Sequence, residues 1–148
     1  TPVCETLLFS AIVRYYMDMA EESGIEFTTS IVLPPALAIK DTDLTVILGN
    51  MLENAMEACL RQTAGEAQFI EVKSRMQGNN GLVLQCRNSY NGQVKKQDET
   101  FLSSKREGEG IGLSSIRTLC AKYHGVLKIT PKDNTFTVNL LLNLPAAA

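Results

Sequence analysis

Between Asp43 and Gln62 the chain places apolar residues at steps of three and four: Leu44, Ile47, Leu48, Met51, Leu52, Ala55 and Cys59. That spacing predicts an α-helix with one apolar face, which must be buried against another layer. Asn50, Asn54, Glu57 and Arg61 keep the same period off that face and form a polar stripe. Asparagine is a mediocre helix former, because its amide competes for backbone partners. Two of them one turn apart therefore call for a reason.

One reason is a site for a cation beside phosphate. Neutral amide oxygens can ligate Mg²⁺ next to a polyphosphate without adding negative charge. The bland alternative is that both residues face water. On this helix alone the bland alternative is the better one, and the rest of the chain has to decide.

A chain of 148 residues is long enough for one domain with a real core. With 45% hydrophobic and 20% charged residues it is neither disordered nor fibrous. A net charge of −2 argues against broad nucleic-acid binding, which needs a basic face. Cys4, Cys59, Cys86 and Cys120 form no C-x-x-C pair and read as buried free thiols in a reducing compartment. A single histidine rules out a His-rich metal site. No apolar run is long enough to span a membrane, and nothing resembles a signal peptide. The start at Thr1 reads as that of an excised fragment. Residues 1–144 read as one domain, and 145–148 as a frayed end or cloning remnant.

In order along the chain, Val3–Ser23 has a helical stripe of Leu7, Leu8, Ala11, Ile12, Tyr15 and Met19. Pro2 fits its first turn and Gly24 its C-cap. Ile25–Val32 reads as a strand stopped by Pro34-Pro35. Asp41 or Asp43 would cap the Asn-bearing helix. Gln68–Met76 alternates, Gln77–Gly81 turns, and Leu82–Arg87 returns as a hairpin. Asn88–Glu109 is polar and aperiodic, long enough to be a lid or disordered. Leu113–Tyr123 is helical with Gly125 as C-cap, and Val126–Thr130 with Phe136–Leu142 makes a second hairpin. The expected class is α+β: a two-layer sandwich with a mixed, mostly antiparallel sheet and helices on one face.

The polar stretch ends in Gly108-Glu109-Gly110-Ile111-Gly112-Leu113. Glycines at alternate positions let backbone N–H groups converge on an anion where side chains would block the approach. The following helix adds its dipole. Lys105 and Arg106 could supply countercharge. The spacing matches neither the P-loop nor the dinucleotide fingerprint. Its weight comes from standing about fifty residues after a paired-Asn helix, with a hairpin between.

The order N-x-x-x-N-A, hairpin, polar stretch, G-x-G-x-G-L resembles the ATP-binding catalytic domain of sensor histidine kinases. These share a superfamily, and a Bergerat-type fold, with gyrase, a heat-shock chaperone class and MutL. Leu48–Ala55 with Lys105 and Gly110-Ile111-Gly112-Leu113 looks most like the peptide quorum-sensing, accessory-gene-regulator branch. The similarity runs from about Pro2 to Leu144. It implies ATP and Mg²⁺ as cofactors, with Asn54 as the magnesium ligand and Asn50 contacting nucleotide one turn earlier. Gly108, Gly110 and Gly112, with Leu113 closing the motif, would wrap the phosphates. Asn88 falls where the superfamily has the Asp that accepts a bond from the adenine amino group, and Gly92 matches the second glycine of that motif.

Two residues depart from the pattern. Asn88 is neutral, so it accepts without charge assistance. Glu57 stands where many such kinases carry a basic residue, which leaves Arg61 and Lys105 as candidate cations. Asn50 lacks the basicity to activate water, so hydrolysis is not the expected reaction. Phosphoryl transfer, which needs mainly positioning and charge neutralisation, is. By the resemblance, the acceptor is a histidine on a separate helical dimerisation domain. The next partner is a cognate response regulator, and the setting is the cytoplasmic part of a membrane-bound sensor. The fragment itself is expected to be monomeric. His124, at a helix end, reads as structural. Two other readings stay open: an anti-sigma-type serine kinase of the same fold, and a non-catalytic docking module.

Overall fold

The computed structural model describes residues 3–63, 65–92 and 107–145, with the side chains of 107–112 left out. Strand β1 (Cys4–Glu5) leads into helix α1 (Thr6–Glu22), followed by β2 (Glu26–Val32) and β3 (Ala36–Leu37). Helix α2 (Asp41–Leu60) precedes the hairpin of β4 (Phe69–Gln77) and β5 (Gly81–Ser89). Helix α3 (Glu107–Lys122) precedes the hairpin of β6 (Val126–Lys132) and β7 (Thr135–Asn143).

The main sheet has five strands in the order β2-β4-β5-β7-β6. Strand β2 runs parallel to β4, and the other neighbours are antiparallel. Strand register explains why the sheet is covered on one side. Ile70 lies opposite Asn88, Val72 opposite Cys86, and Cys86 opposite Val138, so their side chains share a face. That face is buried, as are Leu82, Leu84, Leu140 and Leu142 along it. The other face carries Lys73, Gln85 and Asn139 in one register row, with Gln85 bonded to Asn139 at 2.8 Å. There Arg87 also pairs with Glu71 at 2.8 Å.

Helices cover the apolar face. Phe9, Val13 and Ala20 of α1, Leu44 through Cys59 of α2, and Leu113, Ile116 and Cys120 of α3 join the sheet residues in one core. Full burial contributes about 1.5–3 kcal/mol for each side chain the size of Leu or Phe. The expected α+β two-layer class, with helices on one face of a mixed sheet, is the observed one.

The first helix starts later than its periodicity indicated. Cys4 and Glu5 instead pair with Leu37 and Ala36 in a two-stranded ladder, and Thr6 bonds the Pro34 and Pro35 carbonyls. Pro2 lies outside the described residues. Neither Asp41 nor Asp43 caps α2; Lys40 is the N-cap without a side-chain bond, and both acids lie in the first turn. There they complement the helix dipole.

At the end of α1, Gly24 takes φ +76 and the N–H groups of Gly24 and Ile25 return to Glu21 and Ala20. This is a Schellman stop. At the end of α3 the left-handed position is occupied by His124, φ +51, not by Gly125 as the sequence indicated. His124 and Gly125 donate to the carbonyls of Ala121 and Cys120 at 3.0 and 2.8 Å. Gly125 is required for another reason: a Cβ there would lie 2.1 Å from the Leu141 carbonyl oxygen. The β6–β7 turn uses Asp133 and Asn134, both at positive φ, as a two-residue hairpin connection.

Candidate functional site

Helix α2 is the centre of the site. It packs against α1, α3 and β5. Asn50 and Asn54 are both half-buried. The Asn54 Nδ2 atom is buried and has no hydrogen-bond partner among the described residues. A buried amide without partners costs about 1–3 kcal/mol, so such groups in native proteins call for an explanation. Which end of the amide carries oxygen is a matter of a flip. An oxygen presented there suits a hard cation, which takes neutral oxygen donors. The residue therefore fits a magnesium-ligand role.

Next along the stripe, Glu57 pairs with Arg61 at 3.7 Å, one turn on. The arginine expected to supply countercharge is thus partly neutralised by its own helix. On the other side of α2, Glu53 accepts a bond from the Tyr16 hydroxyl at 3.1 Å and ties α2 to α1. Burial, with Glu53 adding to it, pushes that hydroxyl up to about 12.

The sheet contributes the end of β5. Asn88 is 3% exposed on the helix-covered face. Its Nδ2 donates to the Ser89 carbonyl at 2.9 Å, which turns the amide oxygen outward from that bond as an acceptor. Ser89 is fixed in turn: its hydroxyl donates to Gln62 Oε1 at 2.6 Å and accepts from the Phe69 N–H at 2.9 Å. This joins the end of α2 to β4 and β5, and nothing in the sequence pattern announced it. Beyond β5, Tyr90 exchanges bonds with Asn134 of the β6–β7 turn and meets Phe136 edge-on at 5.7 Å. Gly92 has φ +81, and a Cβ there would meet the Asn134 amide at 2.9 Å. Asn88, opposite Phe136, and Gly92, against Asn134, thus both lie beside the β6–β7 turn.

The third contribution comes from α3. Its helix begins at Glu107, six residues before the periodicity indicated. Glycine has poor helix propensity and no side chain to mark a period, so Gly108, Gly110 and Gly112 read as loop in the sequence. They instead occupy the first turns of the helix, where four N–H groups lack intrahelical partners. Leu113 is buried in the core at 1% exposure. Lys105 lies outside the described residues, as does the stretch 93–106 of the expected lid.

The sequence also missed a tie between α2 and α3. Asp43, 9% exposed, accepts from the Tyr123 hydroxyl at 2.5 Å and from Lys122 Nζ at 2.8 Å. Burial alone would raise the Asp43 carboxyl; the bonds from Lys122 and Tyr123, with the charges of Lys122 and Lys40, outweigh it and hold the group below its ordinary range. The available signal was its phase. Asp43 precedes Asn50 by seven residues and Asn54 by eleven, about two and three turns on one face. The stripe and the tie to α3 therefore share a side of the helix. No cluster of His, Cys, Asp and Glu able to hold a metal occurs among the described residues. No helix among them is long and apolar enough to cross a membrane.

Solved structures share this architecture. The nucleotide-free catalytic domain of the histidine kinase ThkA superposes with a TM-score of 0.71 at 19% identity, covering 98% of this chain and 100% of that one. The mycobacterial sensor histidine kinase MprB gives 0.70 at 16% identity, covering 97% and 99%. The histidine kinase domain of the blue-light activated histidine kinase EL346 from Erythrobacter litoralis gives 0.69 at 13%, covering 93% and 61%. No curated protein matches the sequence. A family profile described as the GHKL domain matches residues 39–143, a span that holds α2, both hairpins and α3. With well over half its length matched, the chain belongs to the GHKL domain family.

Proposed function

We propose that this chain is the ATP-binding catalytic domain of a sensor histidine kinase, residues 1–144 forming the catalytic unit. The observation that carries the reading is the buried Asn54 Nδ2 without a hydrogen-bond partner among the described residues, in helical phase with the Asp43 that Tyr123 holds. Asn54 would hold Mg²⁺, and Asn50 would contact nucleotide one turn earlier. Bound magnesium supplies charge neutralisation on the phosphates. The open N–H groups in the first turn of α3, that of Gly108 among them, would donate to phosphate oxygens with the helix dipole behind them, and Gly110 and Gly112 would keep the approach free of side chains. Lys105 and Arg106 are the remaining countercharges, because Arg61 already pairs with Glu57. Asn88 offers its amide oxygen to the adenine amino group, with Gly92 next to it.

Asn50 cannot act as a base toward water, so the domain holds ATP for transfer instead of hydrolysing it. The acceptor is a histidine on a helical dimerisation domain, and a response regulator receives the group next. His124 is spent on the helix stop. The full-length protein is read as a membrane-bound sensor of the peptide quorum-sensing branch, with this domain in the cytoplasm.

Calorimetry with a non-hydrolysable ATP analogue and Mg²⁺ tests the reading. The intact chain is expected to bind, and Asn54→Ala to lose at least tenfold in affinity, about 1.4 kcal/mol. No heat from the intact chain would leave only a docking module.

A further inference from the structure

We propose that Asp43, Lys122 and Tyr123 form a positioning latch: they set the distance between α2 and α3, and nucleotide affinity depends on them although none of the three touches nucleotide. The inference rests on the ATP-binding reading of the site and adds to it.

The geometry is specific. The Tyr123 hydroxyl donates to Asp43 at 2.5 Å and accepts from the Lys40 N–H at 3.3 Å, so it grips the first turn of α2 at two points. Burial, with Asp43 adding to it, pushes that hydroxyl up to about 12, so it remains a donor at neutral pH. Lys122 Nζ reaches Asp43 from the solvent side at 2.8 Å. Two consecutive residues at the end of α3 thus hold one carboxylate at the start of α2. That carboxylate lies in phase with Asn50 and Asn54 on the same helix face.

Helices are stiff over three turns, so fixing one end sets the placement of the whole facing side. The amides on α2 and the donors at the start of α3 must converge on a ligand to within fractions of an ångström. A displacement at the latch is carried to the site as a misalignment. The latch residues contribute affinity without contact, and the contribution depends on the hydrogen bonds and not merely on helix stability.

The test measures affinity for the same ATP analogue with Mg²⁺, by calorimetry, in the intact chain and in variants. Tyr123→Phe keeps the ring and removes the donor; Lys122→Met removes the charge; Lys122→Arg restores it. Ser74→Ala is the control, because it loses a hydrogen bond to the Val83 carbonyl within the sheet that involves none of the latch residues. Tyr123→Phe and Lys122→Met are each expected to weaken binding about five- to tenfold. Lys122→Arg should recover most of the loss, and Ser74→Ala should bind as the parent does despite lower stability. Parent-like binding by Tyr123→Phe would overturn the latch alone and leave the ATP site standing. Equal weakening by Ser74→Ala would overturn it too, reducing the effect to general stability. An intact chain that binds no nucleotide would overturn the site and the latch together.

Discussion

Gly125 lies directly against Leu141: a Cβ on the glycine would be 2.1 Å from the leucine carbonyl oxygen. That oxygen belongs to the backbone of β7, so it cannot swing aside as a side chain could. Gly125→Ala is expected to cost about 3 kcal/mol, the upper part of the range for overpacking. Gly78→Ala serves as the comparison. Its φ is +66 with nothing within 4 Å, so only backbone strain of about 1 kcal/mol opposes it. Urea unfolding of both variants measures the difference; equal losses would contradict it.

His124 holds the left-handed position of the α3 stop with φ +51. A β-carbon in that conformation costs roughly 1–2 kcal/mol, while glycine adds unfolded-state freedom of about 0.4–1 kcal/mol. His124→Gly should therefore stabilise the fold by up to about 1 kcal/mol, read as a higher denaturation midpoint. Destabilisation would show that the imidazole has a role the backbone does not reveal.

Asp43 links stability to acid. Its carboxyl is depressed in the folded protein, so its contribution is complete above the unfolded value of about 4 and is lost as pH falls through the lower, folded value. Asp43→Asn should lower stability at neutral pH by about 1–3 kcal/mol. It should also flatten the fall in stability below about pH 4. A variant whose acid profile parallels the parent would deny the carboxylate this role.

All four cysteines are free and buried. Burial, with Cys59 adding to it, pushes the Cys86 thiol up to about 12; burial, with Asp41 and Glu5 adding to it, pushes Cys4 up to about 11. Thiolate is the reactive form, so an aromatic disulfide reagent at neutral pH should label the native chain only as fast as it opens. In urea it should reach all four thiols at once. Rapid labelling of a native thiol would contradict the burial.

Much of the fold was legible because its periods are clean. Leu44 through Cys59 and the alternation Ile70, Val72 against Leu82, Leu84 each announce their element and buried face. What stayed hidden depends on partners distant in sequence or on residues without a pattern. The β1–β3 ladder is two residues long and makes no period. The glycines at the start of α3 lack side chains, so a helix there looks like a loop. In the site, Asn50 and Asn54 stood out as an anomaly of type and spacing. Asp43 was misread as a cap because an acid at a helix start has a local explanation, whereas its actual partners are about eighty residues away. The Ser89–Gln62–Phe69 junction is likewise a product of packing.

The one parallel pairing among the described strands of the sheet bears on how the molecule assembles. β4 and β5 join through a short turn, and β7 and β6 through another, so their contacts close small loops. β2 must instead wait for the α2 crossover, some forty residues, before it finds β4. Closing the larger loop carries the greater entropic cost, so the parallel edge should dock last and detach first. Amide protons of Thr28 and Ser30 should then exchange with solvent water well before those of Leu84 and Cys86, giving the domain a rim that loosens while its centre remains shut.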